Sequence, residues 1–121
     1  MNFSDRFIQQ FDSGATVFDQ GSAGNHMYVV LAGCVEIRRE QDGAPVTLAT
    51  LGEGEIFGEM ALVDSGIRMA SAVAVAEGTR LVAIDQARFV YIVSQQPAFA
   101  LSIMRVMAQR IQALGQPALA N

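Results

Sequence analysis

Glu59 and Arg68 are the two residues whose type and spacing suggest chemistry. They stand nine residues apart in the stretch Phe57-Gly58-Glu59-Met60-Ala61-Leu62-Val63-Asp64-Ser65-Gly66-Ile67-Arg68-Met69-Ala70-Ser71, and glycines at 52, 54 and 58 make the corners ahead of the carboxylate. Glu59 opens a Met-Ala-Leu run short enough to be one helical turn. The start of such a turn presents unpaired backbone N–H groups and the positive end of a dipole to an anion. A carboxylate can accept from a hydroxyl, and a guanidinium offers a planar fork of donors that matches two phosphate oxygens and stays charged. A ligand carrying both a hydroxyl and a phosphate would satisfy the pair. Taken by themselves the two residues leave blander readings open, with Glu59 as a helix cap or ion-pair partner and Arg68 as a solvated turn charge.

The elements that must position them follow from pattern. Residues 3–11 place Phe3, Phe7, Ile8 and Phe11 at helical spacing, which predicts a short N-terminal helix over about 3–11. Asp12-Ser13-Gly14 ends it, and from about 15 to 84 the chain changes to short β-branched and aromatic runs broken by glycine. Strands are expected at Thr16–Asp19, Met27–Ala32, Val35–Glu40, Val46–Leu51, Ile56–Phe57, Ala70–Ala76 and Arg80–Ile84. So many short strands at regular turn spacing favour a closed barrel or sandwich, which manages the edges an open sheet would expose. After Asp85, an expected N-cap, the period is helical through Phe89, Ile92 and Val93. Pro97 breaks it, and a second helix carries Ala100, Met104, Met107, Ile111 and Leu114 to a stop at Gly115 and Pro117. Two helices over about 86–114 result.

Composition bounds the function. A chain of 121 residues, 51% hydrophobic, suits one domain over 1–121. Its net charge is −4, with eight arginines and no lysine, so no basic face is available for a polynucleotide and no nucleic acid partner is expected. Cys34 is the single cysteine, which excludes an internal disulfide, and reads as a small buried hydrophobe. His26 is the single histidine, so a metal enzyme wanting two or three is disfavoured and a serine hydrolase has one histidine to borrow. No metal and no cofactor are expected. With neither a leader-like N-terminus nor an apolar run of membrane-spanning length, the chain reads as cytoplasmic and away from membranes.

The motif F-G-E-M-A-L, the nine-residue step to an arginine and the Ala70-Ser71 that follow resemble the phosphate-binding cassette of the cyclic nucleotide-binding domain family. That family includes bacterial cAMP receptor proteins, regulatory subunits of cyclic-nucleotide-dependent kinases and channel gates. The order of turns is similar too, from the Phe18-Asp19-Gln20-Gly21 corner through Tyr28-Val29-Val30 to Gly33. The resemblance implies a mostly β jelly-roll barrel with the helices as flanks, and a bound cAMP or cGMP as ligand. It places Glu59 on the ribose 2′-hydroxyl, Arg68 on the phosphate, and the backbone of Met60, Ala61 and Met69 around the phosphate. Gly58 is the point of close approach, and Ala70 and Ser71 complete the cassette. Ala49 and Leu51, alternate residues on one strand, would face the purine, with Ile111 and Leu114 as its cover once the last helix swings about Gln95-Gln96-Pro97. Met69 stands where guanine-preferring members often carry a hydroxyl, which inclines the ligand toward cAMP. Ile67 departs from a proline common in the family, the last helix is expected to end about where the base lid would lie, and no output segment is expected to follow.

The function implied is a cyclic nucleotide sensor without catalysis. The alternative is a degenerate, non-binding module that forms a homodimer or docks an effector through the seam Met104, Met107, Ile111 and Leu114. An enzyme on a cupin-like barrel is a third reading.

Overall fold

The computed structural model describes residues 5–64 and 66–119, with side chains described over 6–64 and 66–113. The chain divides near Gln86 into two compact units, residues 1–86 and 87–121.

The first unit is mostly β. A 3-10 turn at Asp5–Phe7 leads into β1 (Ile8–Phe11), β2 (Thr16–Phe18), β3 (His26–Ala32), β4 (Val35–Gln41), β5 (Ala44–Leu51), β6 (Ile56–Phe57), β7 (Ser71–Ala74) and β8 (Thr79–Asp85). They form two four-stranded antiparallel sheets, in the orders β1-β8-β3-β6 and β2-β7-β4-β5. This is the jelly-roll class that the resemblance implies, as a sandwich of two sheets, one of the two forms the strand pattern favours, rather than a closed barrel. Its core draws on both sheets: Tyr28, Val30, Val35, Leu51, Phe57, Ala72, Leu81 and Ala83 form one buried cluster. Alternation puts them there, as in β7, where Ala72 and Ala74 are fully buried between half-exposed neighbours.

Local chemistry explains the connections. Asp42 and Gly43 join β4 to β5 with φ of 54 and 81, the pair of left-handed residues that a two-residue hairpin matched to strand twist requires. Pro45 sits opposite Glu40 on β5, the edge of its sheet, where a missing N–H costs no ladder bond. The β4–β5 register shifts between Ile37↔Ala49 and Arg38↔Thr47, so Leu48 is an extra residue on β5 and points to solvent.

The expected N-terminal helix over about 3–11 is corrected. Residues 5–7 make only a 3-10 turn, Ile8–Phe11 are a strand, and residues 3 and 4 lie outside the described residues. β1 pairs with β8 from Ile8↔Val82 to Phe11↔Thr79, and Phe11 packs against the core cluster. The spacing of three and four is a helical one, but so short a segment gains little as a helix, and the ladder with β8 decides the matter.

The second unit is helical, with α1 at Gln86–Gln95 and α2 at Ala98–Leu119. Pro97 separates them as expected, Phe99 N–H and Ala100 N–H closing the new turn on the carbonyls of Gln96 and Pro97. Phe89 and Phe99 meet with ring centroids 5.7 Å apart. The stop at Gly115 is corrected, since α2 runs through Gly115 and Pro117 to Leu119. Glycine weakens a helix by about 1 kcal/mol relative to alanine, and proline, which loses its donor and crowds the carbonyl four residues back, by about 3 kcal/mol. Neither one is an obligatory end.

Candidate functional site

The site is built where two loops of the β unit meet. The turn expected at Glu59 is a 3-10 turn over Glu59–Leu62, entered through Gly58 in the left-handed conformation at φ 75. The Gly58 carbonyl accepts the Ala61 N–H at 3.2 Å, and Gln86 Nε2 donates to the Leu62 carbonyl at 3.0 Å. The chain then passes out to Gly66 and returns along residues 21–24. Gly24 N–H donates to the Gly66 carbonyl at 2.6 Å, Arg68 N–H to Ser22 at 2.8 Å and Gly21 N–H to Arg68 at 2.7 Å, with Ala23 bridging Ile67. A Cβ on Gly66 would stand 2.5 Å from the Gly24 carbonyl oxygen. These contacts lash the second half of the cassette to the β2–β3 loop.

Arg68 is turned inward by that lashing. Only 6% of it is exposed, so the solvated-charge reading fails. Its Nη2 donates to the His26 carbonyl at 2.8 Å and its Nη1 to the Gly58 carbonyl at 3.2 Å. Cζ lies 4.0 Å from the centroid of the Phe18 ring and 5.9 Å from that of Tyr28. Nε is buried with no acceptor among the described residues. Burial lowers the Arg68 pKa from its ordinary value, a tendency opposed by the nearby Tyr28. Burial raises that of Tyr28, opposed by Arg68. A guanidinium has five N–H donors, and carbonyls accept two of them here. The geometry therefore offers a desolvated cation with donors to spare. Glu59, which follows Gly58 in the chain, is also buried, at 5% exposed.

The remaining candidates are placed differently. Gly58 touches Arg68 directly, and a Cβ there would lie 2.8 Å from Nη1, so the glycine makes room for the arginine. Ala61 and Ala70 are partly buried, whereas Met60 and Met69 extend outward, 52% and 69% exposed. Ser71 begins β7 and its hydroxyl accepts the Gln20 N–H at 2.8 Å. Leu51 belongs to the core cluster, and Ala49 packs against it. In the other unit Ile111 is 68% exposed, and the Leu114 side chain lies outside the described residues. Sequence reasoning missed Phe18, Gly24 and the carbonyl of His26 as the surroundings of Arg68. The one signal for them was the Phe18–Gly21 corner, whose spacing marks a turn without saying what the ring touches. Among the described residues no group of three or more His, Cys, Asp or Glu is placed to hold a metal, and no helix is long and apolar enough to cross a membrane.

A two-sheet sandwich of this topology, with a glycine-entered turn, a buried glutamate and a buried arginine nine residues on, is an arrangement that known proteins share. The chain belongs to the cyclic nucleotide-binding domain family, whose model matches residues 8–96. It is 39% identical over 103 residues to the cyclic AMP receptor protein of Thermus thermophilus, covering 84% of this chain and 47% of that protein. It is 37% identical over 90 residues to the cAMP-dependent protein kinase type II regulatory subunit of Drosophila melanogaster, covering 74% and 24%. The crystal structure of the Thermus thermophilus catabolite activator protein superposes with a TM-score of 0.81 at 36% identity, over 93% of this chain and 54% of that one. The chain thus spans about half or less of the length of these relatives. The exclusion of nucleic acid drawn from its acid balance speaks for these 121 residues alone and finds no support in the relatives.

Proposed function

We propose that the chain is a non-catalytic sensor domain that binds a cyclic nucleotide, cAMP in preference to cGMP, and passes the binding on to a regulated partner. One observation carries the reading: Arg68 is buried with Nε unpaired and further N–H donors unspent, one of its donors meeting the carbonyl of Gly58 at the entry to the turn. In this reading Arg68 takes the cyclic phosphate and Glu59 the ribose 2′-hydroxyl, the group that a 3′,5′-cyclic phosphate leaves free. Gly58 lets the backbone approach. The amides of Met60, Ala61 and Met69 lie around the phosphate, Ala70 and Ser71 shape the far side of the cassette, and Ala49 and Leu51 back the base. The relatives' names, a cyclic AMP receptor protein and a cAMP-dependent kinase regulatory subunit, support the adenine preference. No cofactor or metal takes part.

Isothermal titration calorimetry with cAMP and cGMP tests it. Arg68→Ala is expected to weaken binding by roughly 1.5–3 kcal/mol, the worth of a charge-assisted hydrogen bond. Glu59→Ala should hurt cAMP more than 2′-deoxy-cAMP, and equal losses would remove the ribose assignment. Absence of heat with either nucleotide at millimolar concentration would sink the sensor reading.

A second reading, self-association or docking of an effector through α2, is favoured by the exposure of Leu101, Met104 and Ile111, spaced three and seven residues apart along the helix. Sedimentation of the wild type and Met104→Glu checks it, a shared monomer mass ruling out the homodimer.

A further inference from the structure

The residues around the Arg68 guanidinium form a slot that the ligand reading does not use. Phe18, at the end of β2, presents its ring to Cζ at 4.0 Å. The ring is itself held in an aromatic group, 6.0 Å from Tyr28 and 5.9 Å from Phe57 between centroids, while Tyr28 and Phe57 stack at 5.2 Å with 16° between their planes. Gly24 stands against the same guanidinium: a Cβ there would fall on Nε and lie 2.6 Å from Cζ. Carbonyl oxygens of His26 and Gly58 meet two of the donors. An arginine side chain has many rotamers to lose. An unanchored one would lose them when it captured an anion, and this slot removes that cost beforehand.

We propose that Phe18 is the positioning residue for Arg68: its ring carries the guanidinium inside the sandwich, against the Gly24 backbone and the two carbonyls, so that the arginine meets an anionic ligand already oriented. The assignment rests on the reading of Arg68 as the phosphate partner. The ring acts through Arg68 and needs no contact with the ligand. Gly24 is the complementary half of the slot, because any side chain there would occupy the guanidinium's place. The three atoms nearest to such a Cβ all belong to Arg68, the end of a flexible side chain, so Gly24→Ala displaces the arginine at little cost to the backbone.

The test begins on the ligand-free protein, with the Nε–Hε signals of its arginines resolved by NMR and that of Arg68 assigned through Arg68→Lys. The Arg68 Hε signal is expected to be displaced upfield by the Phe18 ring current. Phe18→Leu and Gly24→Ala should abolish the displacement, and Phe18→Tyr, which keeps the ring face, should restore it. In a cAMP titration, Phe18→Leu should weaken binding roughly 3- to 30-fold, the range of a cation–π contact, with recovery in Phe18→Tyr. In an Arg68→Ala background Phe18→Leu should have no further effect. An Hε shift that is the same in wild type, Phe18→Leu and Gly24→Ala overturns the proposal. So does a Phe18→Leu loss of equal size with and without Arg68. If Phe18→Leu does not fold, Gly24→Ala and Phe18→Tyr decide by the same signals. If the wild type binds neither cAMP nor cGMP while the ring-current signature holds, the nucleotide reading fails and the positioning role of Phe18 stands.

Discussion

At the scale of the residue, the feature that matters is a charge placed where charge is expensive. Arg68 sits among rings and carbonyls, and its neighbour Tyr28 shares the cost of burial: the phenol is pushed above its ordinary value of 10.0 and the guanidinium is pulled down. The two shifts have opposite consequences for stability. A phenol whose pKa is raised on folding contributes stability that is intact below its unfolded pKa and is lost as pH rises through the folded one. Stability measured by thermal unfolding is therefore expected to decline from about pH 10 upward, and Tyr28→Phe should flatten that decline. Arg68, whose pKa burial lowers, works in the other direction at still higher pH, so the variant isolates the phenol where the wild-type curve alone would not. A decline of unchanged steepness in Tyr28→Phe would show that the alkaline instability arises elsewhere.

At the scale of the element, the cassette is half turn and half ladder. Glu59–Leu62 is a single 3-10 turn, whereas residues 66–68 are bonded to 21–24 as a short antiparallel pair. That pairing aims Arg68 inward, so its weakest joint decides the site. Gly66 is the joint, with φ 84 and the Gly24 carbonyl in the space a side chain would need. Gly66→Ala is expected to cost at least about 1–2 kcal/mol from the left-handed backbone alone, before any shift of the neighbouring loop. Gly24→Ala, which meets only the arginine's tip, should leave the midpoint of denaturant unfolding nearly unchanged. Equal midpoints for the two variants would mean that the clamp carries no stability.

At the scale of the whole molecule, a ligand that binds the folded chain alone raises its stability by mass action. At a hundred times its Kd a cyclic nucleotide should add about 2.7 kcal/mol. For a chain of this size that moves the thermal midpoint by on the order of 10 °C. Differential scanning fluorimetry with cAMP and with the open-chain 5′-AMP separates specific capture from general phosphate binding: equal shifts for the two would count against a site built for the cyclic form. At the same cAMP concentration Arg68→Ala should keep at most about half of that stabilisation, since a site weaker by roughly 1.5–3 kcal/mol adds only about 0.3–1.3 kcal/mol.

Much of this was legible in the residues alone, because the information is local. Alternating β-branched runs, the Asp42-Gly43 hairpin turn and the Pro97 break each act over a few bonds, and those patterns yield seven of the eight strands and both helices, while the Gly58-Glu59…Arg68 motif carries the resemblance to the family. What remained hidden depends on partners far along the chain. Ile8–Phe11 is a strand only because β8 has an edge to fill, and α2 passes Gly115 and Pro117 although both are local stop signals. Nothing in the loop sequence says whether the Arg68 side chain is buried. It is buried because residues 21–24 turn it inward and Phe18, about fifty residues earlier, supplies a face for it. Sequence by itself determined which groups are available to a ligand, since residue type and short-range geometry set their chemistry. Tertiary structure decided which way the arginine points and what holds it there, since those contacts exist only after the two sheets have closed on one another.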